Sequence, residues 1–588
     1  MIFRKDINGL RAIAVLPVIF FHSGLSAFSG GFLGVDVFFV ISGFLITSNI
    51  INNQSESSFS LLEFYDKRAR RILPPLFLTI LITTFFSFLF MLPYDLKNYG
   101  QSIVATSLGA NNILLYLTSG YWSLASDFKP LYHTWSLGVE EQYYFIIPII
   151  FILFFKSRKL LLSILLILFL VSFFSSYFIE SKEFNFLIIV TRFWELCAGS
   201  LLAIYMRKKK TIKNEYLSGL GLLFIFFSYV NPYFFSSNQL LINLLPVLGT
   251  IMVIAFTKQE GFVYKNLSRK PFLMIGLTSY SVYLFHQPIL SFLKLATETP
   301  VNTYIQLSLS LLSLPLAYFS WRFIESPFRS KDIFSHKKFY TVLCFTVFSC
   351  VSTGFFLHKS YGMQNYDIFE KYSYGVNPQA YADRAYSLEK EKFSSSSEKM
   401  LIIGNSFARD FYNALEENGA TSGYEVVYLF DYYKDLDLSR SLLEIADVVF
   451  WVSSAGMAGV DVIKEDLTKS AIQKRTELER YSGDKYYYVG TKNYGFNNNF
   501  IKLKDWNETK DYMVEINSSS ISANNVERKV FSENYVSLMD LFRVDNKTRI
   551  FTDDHKFISF DTEHITKYGA IYLGNKLLRK TSVKNILL

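Results

Sequence analysis

Only seven histidines occur in 588 residues, and their placement directs the reading of the chain. His22 follows Arg11 by eleven residues in FRKDINGLRAIAVLPVIFFHSG. At 100° per residue the two share one helix face, roughly 16 Å apart along the axis. Asp36, in GGFLGVDVFFVISGFLIT, mirrors His22 about the turn at Ser29, so a helical hairpin puts them at similar depth. A carboxylate beside an imidazole orients it and stabilises its protonated form, as a general base requires. A purely structural tie between helices is the competing explanation.

The far end of the chain offers a second constellation. MLIIGNSFARDFYNAL reads as strand, tight turn and helix, with Ser406 at the helix N-terminus. Unpaired N–H groups there favour developing negative charge. FDTEHITKYGA sets Asp561 and His564 at D-x-x-H spacing. A nucleophile, a histidine base and an orienting acid need only meet in space. A turn serine by itself is more often structural, but the two motifs bracket an alternating strand and helix pattern.

The elements that must position these residues are of two kinds. Residues 1–358 hold 29 Lys and Arg against 17 Asp and Glu, and residues 359–588 hold 30 against 33. The whole chain is 51% hydrophobic and only 19% charged, against about 25% charged in ordinary soluble domains. Eleven stretches are long and apolar enough to span a bilayer: 9–27, 31–50, 72–93, 140–156, 160–179, 186–206, 215–231, 239–256, 271–293, 302–321 and 339–358. A weaker stretch, 102–118, suggests a re-entrant segment. With the N-terminus inside, 24 of those 29 basic residues fall in cytoplasmic segments, as the positive-inside rule demands. Residue 359 onward is then outside. The first stretch runs straight into a second span and lacks a small-residue cleavage site, so it is expected to be retained. The net charge of +9 therefore belongs to the membrane part and is no nucleic-acid signal. A soluble enzyme, a disordered protein and a disulfide scaffold are excluded. All three cysteines lie in spans.

Ionisable residues inside a span cost about 2.5–3.5 kcal/mol each on lenient scales, so each needs a reason. Arg68 and Arg71, in YDKRARRILPP, could anchor the third span or form a fork for a phosphate. Arg192 and Glu195, in TRFWELCAG, share one face and suit an internal ion pair as well as a function. His133, Glu140, Glu141 and Tyr144 cluster in LYHTWSLGVEEQYYF, and His286 precedes Pro288 in SVYLFHQP, where a satisfied core histidine is the plainer expectation. No spacing suits a metal, and none is expected.

These residues resemble the acyltransferase family 3 integral-membrane acyltransferases, in the subgroup with a fused extracytoplasmic SGNH domain. The matching pieces include DINGLRAIAVLPVIFFH, GVDVFFVISGFLI, RARRILP, HTWSLGVEEQYYF, RFWELCAGSLLA, SYSVYLFHQP and WRFIESPFR. The family's Arg-x10-His pattern falls on Arg11 and His22, and its R-x-x-R on Arg68 and Arg71. The resemblance implies a polytopic α-helical membrane domain (N-in/C-out) plus a C-terminal α/β SGNH-hydrolase-like domain. It implies an acyltransferase of the bacterial inner membrane that moves an acyl group, usually acetyl, from cytoplasmic acyl-CoA to an envelope glycan. Donor, glycan acceptor and membrane lipid are then the partners, with no permanently bound cofactor. Boundaries are expected at 1–330 for ten spans, 331–358 for the eleventh, 359–398 for a linker and 399–588 for the SGNH-like domain. The common Gly-Asp-Ser block is here Gly404-Asn405-Ser406, and no clear oxyanion blocks appear. Gly456 and Asn493, in the strands where those blocks belong, are the candidate donors. A glycan or lipid transporter with an exported binding or esterase domain is the alternative.

Overall fold

The computed structural model describes residues 4–55, 59–118, 126–208, 213–234, 238–376, 378–453, 455, 464–580 and 583. The chain forms two compact units. Unit 1 comprises residues 1–88, 99–294 and 301–356; unit 2 comprises 89–98, 295–300 and 357–588.

Unit 1 is helical. Among the described residues, eight helices are long and apolar enough to cross a membrane, and Glu215–Val230 is a shorter apolar one. The other two expected spans correspond to the helices Lys5–His22 and Lys270–Leu295. The first carries Lys5, Asp6 and Arg11; the second is diluted by Ser, Thr, His and Gln. Both pay in apolarity for the polar groups they bring inside. The 102–118 stretch is two helices, Pro93–Ser107 and Asn111–Leu117. Close helix crossing depends on glycine: a Cβ on Gly43 would lie 1.8 Å from the Leu196 carbonyl oxygen, and one on Gly199 would lie 2.1 Å from that of Val40. The helices Gly34–Ser55 and Ile189–Lys208 therefore meet backbone to backbone.

Among the described residues of unit 2, eight strands are β1 (Glu398–Ile403), β2 (Tyr424–Leu429), β3 (Val448–Val452), β4 (Tyr486–Val489), β5 (Met513–Glu515), β6 (Tyr535–Val536), β7 (Arg543–Val544) and β8 (Lys547–Arg549). A five-stranded sheet runs β2-β1-β3-β4-β6, with every pair parallel. A small antiparallel sheet, β5-β8-β7, lies apart from it in topology. The strands of the large sheet read as continuous apolar runs, such as MLII and VVFWV, as they must when helices cover both faces. The chain leaves β1 for β2 on one side and then moves to β3 on the other. The carboxyl ends of β1 and β3 thus flank a topological switch point, the usual place for a site in such sheets.

Candidate functional site

Ser406 stands at that switch point. It opens the helix Ser406–Glu416, whose N-cap Asn405 accepts a hydrogen bond from the Phe407 N–H at 3.1 Å. Gly404 holds the turn at φ +134°, and a Cβ there would sit 2.8 Å from the Val452 carbonyl oxygen. The Ser406 hydroxyl and His564 Nε2 are 2.6 Å apart, and His564 Nδ1 lies 2.7 Å from Asp561 Oδ2. Asp561 Oδ1 accepts the N–H groups of Glu563 and His564. Burial alone would raise the Asp561 pKa, but the adjacent imidazole and these hydrogen bonds outweigh it and hold the carboxyl low. With the proton on Nδ1, facing the carboxylate, Nε2 accepts from the serine. That is the arrangement of a base-activated nucleophile.

Sequence reasoning missed what braces this triad. Asp410 is fully buried; its Oδ2 accepts the Ile565 N–H at 3.0 Å, one residue past His564. Lys492 Nζ lies 3.1 Å from the same carboxylate, and Arg409 pairs with it from the other side. Burial opposes the Asp410 charge, yet these two cations keep its pKa below the ordinary value. The signal for them in the sequence was a charged pair, Arg409-Asp410, in the helix that Ser406 opens. Asn493, expected as an oxyanion donor, has an Oδ1 that accepts from the N–H groups of Gly495 and Asn517 and an Nδ2 that donates to the Gly495 carbonyl. Gly456 lies outside the described residues.

In unit 1, Arg11, Arg68 and Arg71 line one cavity together with Ser42, Glu140 and Tyr144. None of the three makes a hydrogen bond or ion pair within the described residues; Arg68 only faces the rings of Phe64 and Tyr144. Arg70, between them in sequence, does the structural work instead. It pairs with Asp66 at 3.0 Å and donates to the Phe328 and Phe334 carbonyls. Glu140 accepts hydrogen bonds from Ser42 and Tyr144, whereas Glu141 lines a different cavity.

Tyr283 marks one wall of the arginine cavity. Its hydroxyl meets Ser136 at 2.7 Å and the His133 carbonyl at 2.8 Å, and its ring lies 5.3 Å from those of His133 and His286. His286 in turn lies 5.3 Å from His22. Its Nδ1 is 2.6 Å from the Tyr283 carbonyl, a bond only an Nδ1–H can donate, so its buried Nε2 carries the lone pair and finds no partner among the described residues. His286 is therefore not the satisfied core histidine of the sequence reading.

Asp36 corrects that reading as well. It does not pair with His22: its Oδ1 binds Arg192 at 3.2 Å, and Arg192 also binds Glu195 at 2.9 Å, all three at most 1% exposed. Asn243 donates to Glu195 at 3.0 Å. The ring behind His22 is His286. Arg192 is the single cation between two buried carboxylates, so Arg192→Gln should cost about 3–5 kcal/mol of stability. Asp36→Asn leaves the Arg192–Glu195 pair intact and should cost far less. Melting temperatures of the two variants in detergent check this; equal losses would return Asp36 to an independent role.

The family described as "Acyltransferase domain" matches residues 4–322. Peptidoglycan O-acetyltransferase OatA of Listeria monocytogenes is 31% identical over 357 residues, covering 57% of this chain and 57% of that one. O-acetyltransferase OatA of Staphylococcus aureus is 31% identical over 353 residues, 55% of this chain and 57% of that one. The chain thus spans little more than half the length of these relatives. Among solved structures, the periplasmic domain of a lipopolysaccharide acetyltransferase of Salmonella ser. Paratyphi A aligns with 37% of this chain and 98% of its own, at 18% identity and a TM-score of 0.27.

Proposed function

The chain belongs to the acyltransferase-domain family, which matches residues 4–322, and from that premise we propose that it is an envelope-glycan O-acetyltransferase with two reaction centres. Acyl-CoA is the donor, taken from the cytoplasm, and no cofactor stays bound. The observation that carries this reading is the cavity with three arginines lacking any ion pair, walled by a tyrosine that abuts the histidine cluster. A polyanion such as CoA supplies the missing charge to Arg11, Arg68 and Arg71. The thioester is then directed past Tyr283 toward His22.

There an acceptor hydroxyl gives its proton to the His22 imidazole as its oxygen bonds to the thioester carbonyl carbon. The C–S bond breaks, and the imidazolium returns the proton to the departing thiolate. In the exported unit, Ser406 takes the acyl group by the same logic: His564 accepts the serine proton, the C–O bond of the carried ester breaks, and that proton goes to the released hydroxyl. A glycan hydroxyl reverses the sequence and leaves acylated. The two OatA relatives are named for O-acetylation, one of them of peptidoglycan, which supports acetyl as the group and a wall or surface glycan as the acceptor.

Purified full-length protein in liposomes with radiolabelled acetyl-CoA and glycan fragments tests this. Label should pass to glycan with release of free CoA, and His22→Ala should stop thioester consumption at unchanged protein level. A glycan or lipid transporter with the same polar interior leaves the thioester intact, and that result would overturn the reading.

A further inference from the structure

The unit carrying the triad is not one continuous stretch, because residues 89–98 and 295–300 belong to it together with 357–588. Tyr94, from the first of these segments, is buried, with its ring 4.7 Å from that of Phe560. Phe560 stacks on His564 with planes 17° from parallel and centroids 5.9 Å apart, and its N–H donates to the His564 carbonyl at 3.2 Å. Tyr94 is therefore one ring removed from the catalytic imidazole. Burial disfavours ionisation of its phenol, and the nearby Asp561 and Asp95 charges oppose it further, so the hydroxyl stays protonated.

A dedicated set of contacts holds the segment there. Asn499 Oδ1 accepts the Leu92 N–H at 2.7 Å, and its Nδ2 donates to Asp95 at 2.7 Å. Lys502 donates to the Met91 carbonyl at 3.0 Å, and Asn497 donates to the Leu295 and Thr297 carbonyls at 2.9 and 3.0 Å. Asn497 and Asn499 are both buried. Buried carboxamides without partners are costly, so this loop is built to receive those two segments. Gly362, at φ +69°, presses so closely on the Pro93 carbonyl that a Cβ would fall 1.7 Å from its oxygen.

We propose that Tyr94 is a positioning residue for the serine site: through Phe560 it fixes the His564 ring. The site is then complete only with residues 89–98 in place. The proposal rests on reading Ser406 as a nucleophile, and one experiment separates the two. Full-length protein in detergent is treated with an aryl sulfonyl fluoride, and adduct formation at Ser406 is followed against pH by mass spectrometry. Wild type should be labelled and Ser406→Ala should not; an unlabelled wild type would overturn the nucleophile reading itself. Tyr94→Ala should react about tenfold more slowly, with a displaced midpoint in its pH–rate profile, because the base is mispositioned. Tyr94→Phe keeps the ring and should restore rate and midpoint. Wild-type rate and midpoint in Tyr94→Ala would overturn the positioning role. Asn499→Ala, which releases Leu92 and Asp95 without touching the triad, should reproduce the Tyr94→Ala profile. If it behaves as wild type, the clasp is not what holds Tyr94.

Discussion

Ser406→Ala should reduce glycan acetylation by at least about 1000-fold, because a nucleophile that acts as part of a triad cannot be replaced by its partners. Ser406 is 1% exposed and its hydroxyl lies 2.6 Å from His564 Nε2, so its loss removes the reacting atom while the fold keeps its packing. Alanine is a good helix former at this first helical position, and the N-cap bond from Asn405 is untouched. Acetyl-CoA binding should be unchanged, since the residues lining the arginine cavity all belong to unit 1. Acetyl content of the envelope glycan in a deletion strain carrying the variant, measured by NMR beside its wild-type complement, reads the outcome. Full acetylation by a well-expressed Ser406→Ala protein would show that the membrane unit completes the transfer alone.

The triad could be read before the structure because each of its motifs is local. A strand, a glycine turn and a helix place Ser406, and D-x-x-H spacing lets one loop present both Asp561 and His564. Asp36 was misread for a definable reason. Mirroring about a turn fixes the depth of a residue on a helical hairpin, but not which way around the helix it points. A third helix, Ile189–Lys208, crosses at Gly43 and Gly199 and brings Arg192 to the carboxylate. His286 was undervalued because its unpartnered Nε2 is a property of tertiary packing. Tyr94 was beyond reach: its segment is fixed by Asn499, 407 residues from Leu92 in sequence, and no local pattern encodes such a pairing. The arginine motif was legible by spacing, but only the structure separates Arg70, already paired, from Arg68 and Arg71.

That separation makes the second large effect specific. Arg68→Ala combined with Arg71→Ala should weaken acetyl-CoA binding at least about 100-fold, taking each charge-assisted contact to phosphate at about 1.5–3 kcal/mol. The same double variant should melt at a higher temperature than wild type when no ligand is present. Partly buried cations that make no close ion pair carry a desolvation cost in the empty protein, and their removal relieves it. Arg70→Ala should do the reverse, since it leaves Asp66 buried with its closest partner gone and strips hydrogen bonds from two carbonyls. It should lose stability while its folded fraction keeps wild-type affinity. Calorimetric titration with acetyl-CoA and thermal melts of the three proteins in detergent give both readouts. A double variant that binds acetyl-CoA as wild type does would remove the phosphate role. One that binds weakly but is also destabilised would mean that Arg68 and Arg71 hold the helix Leu61–Phe90 in place rather than wait for an anion.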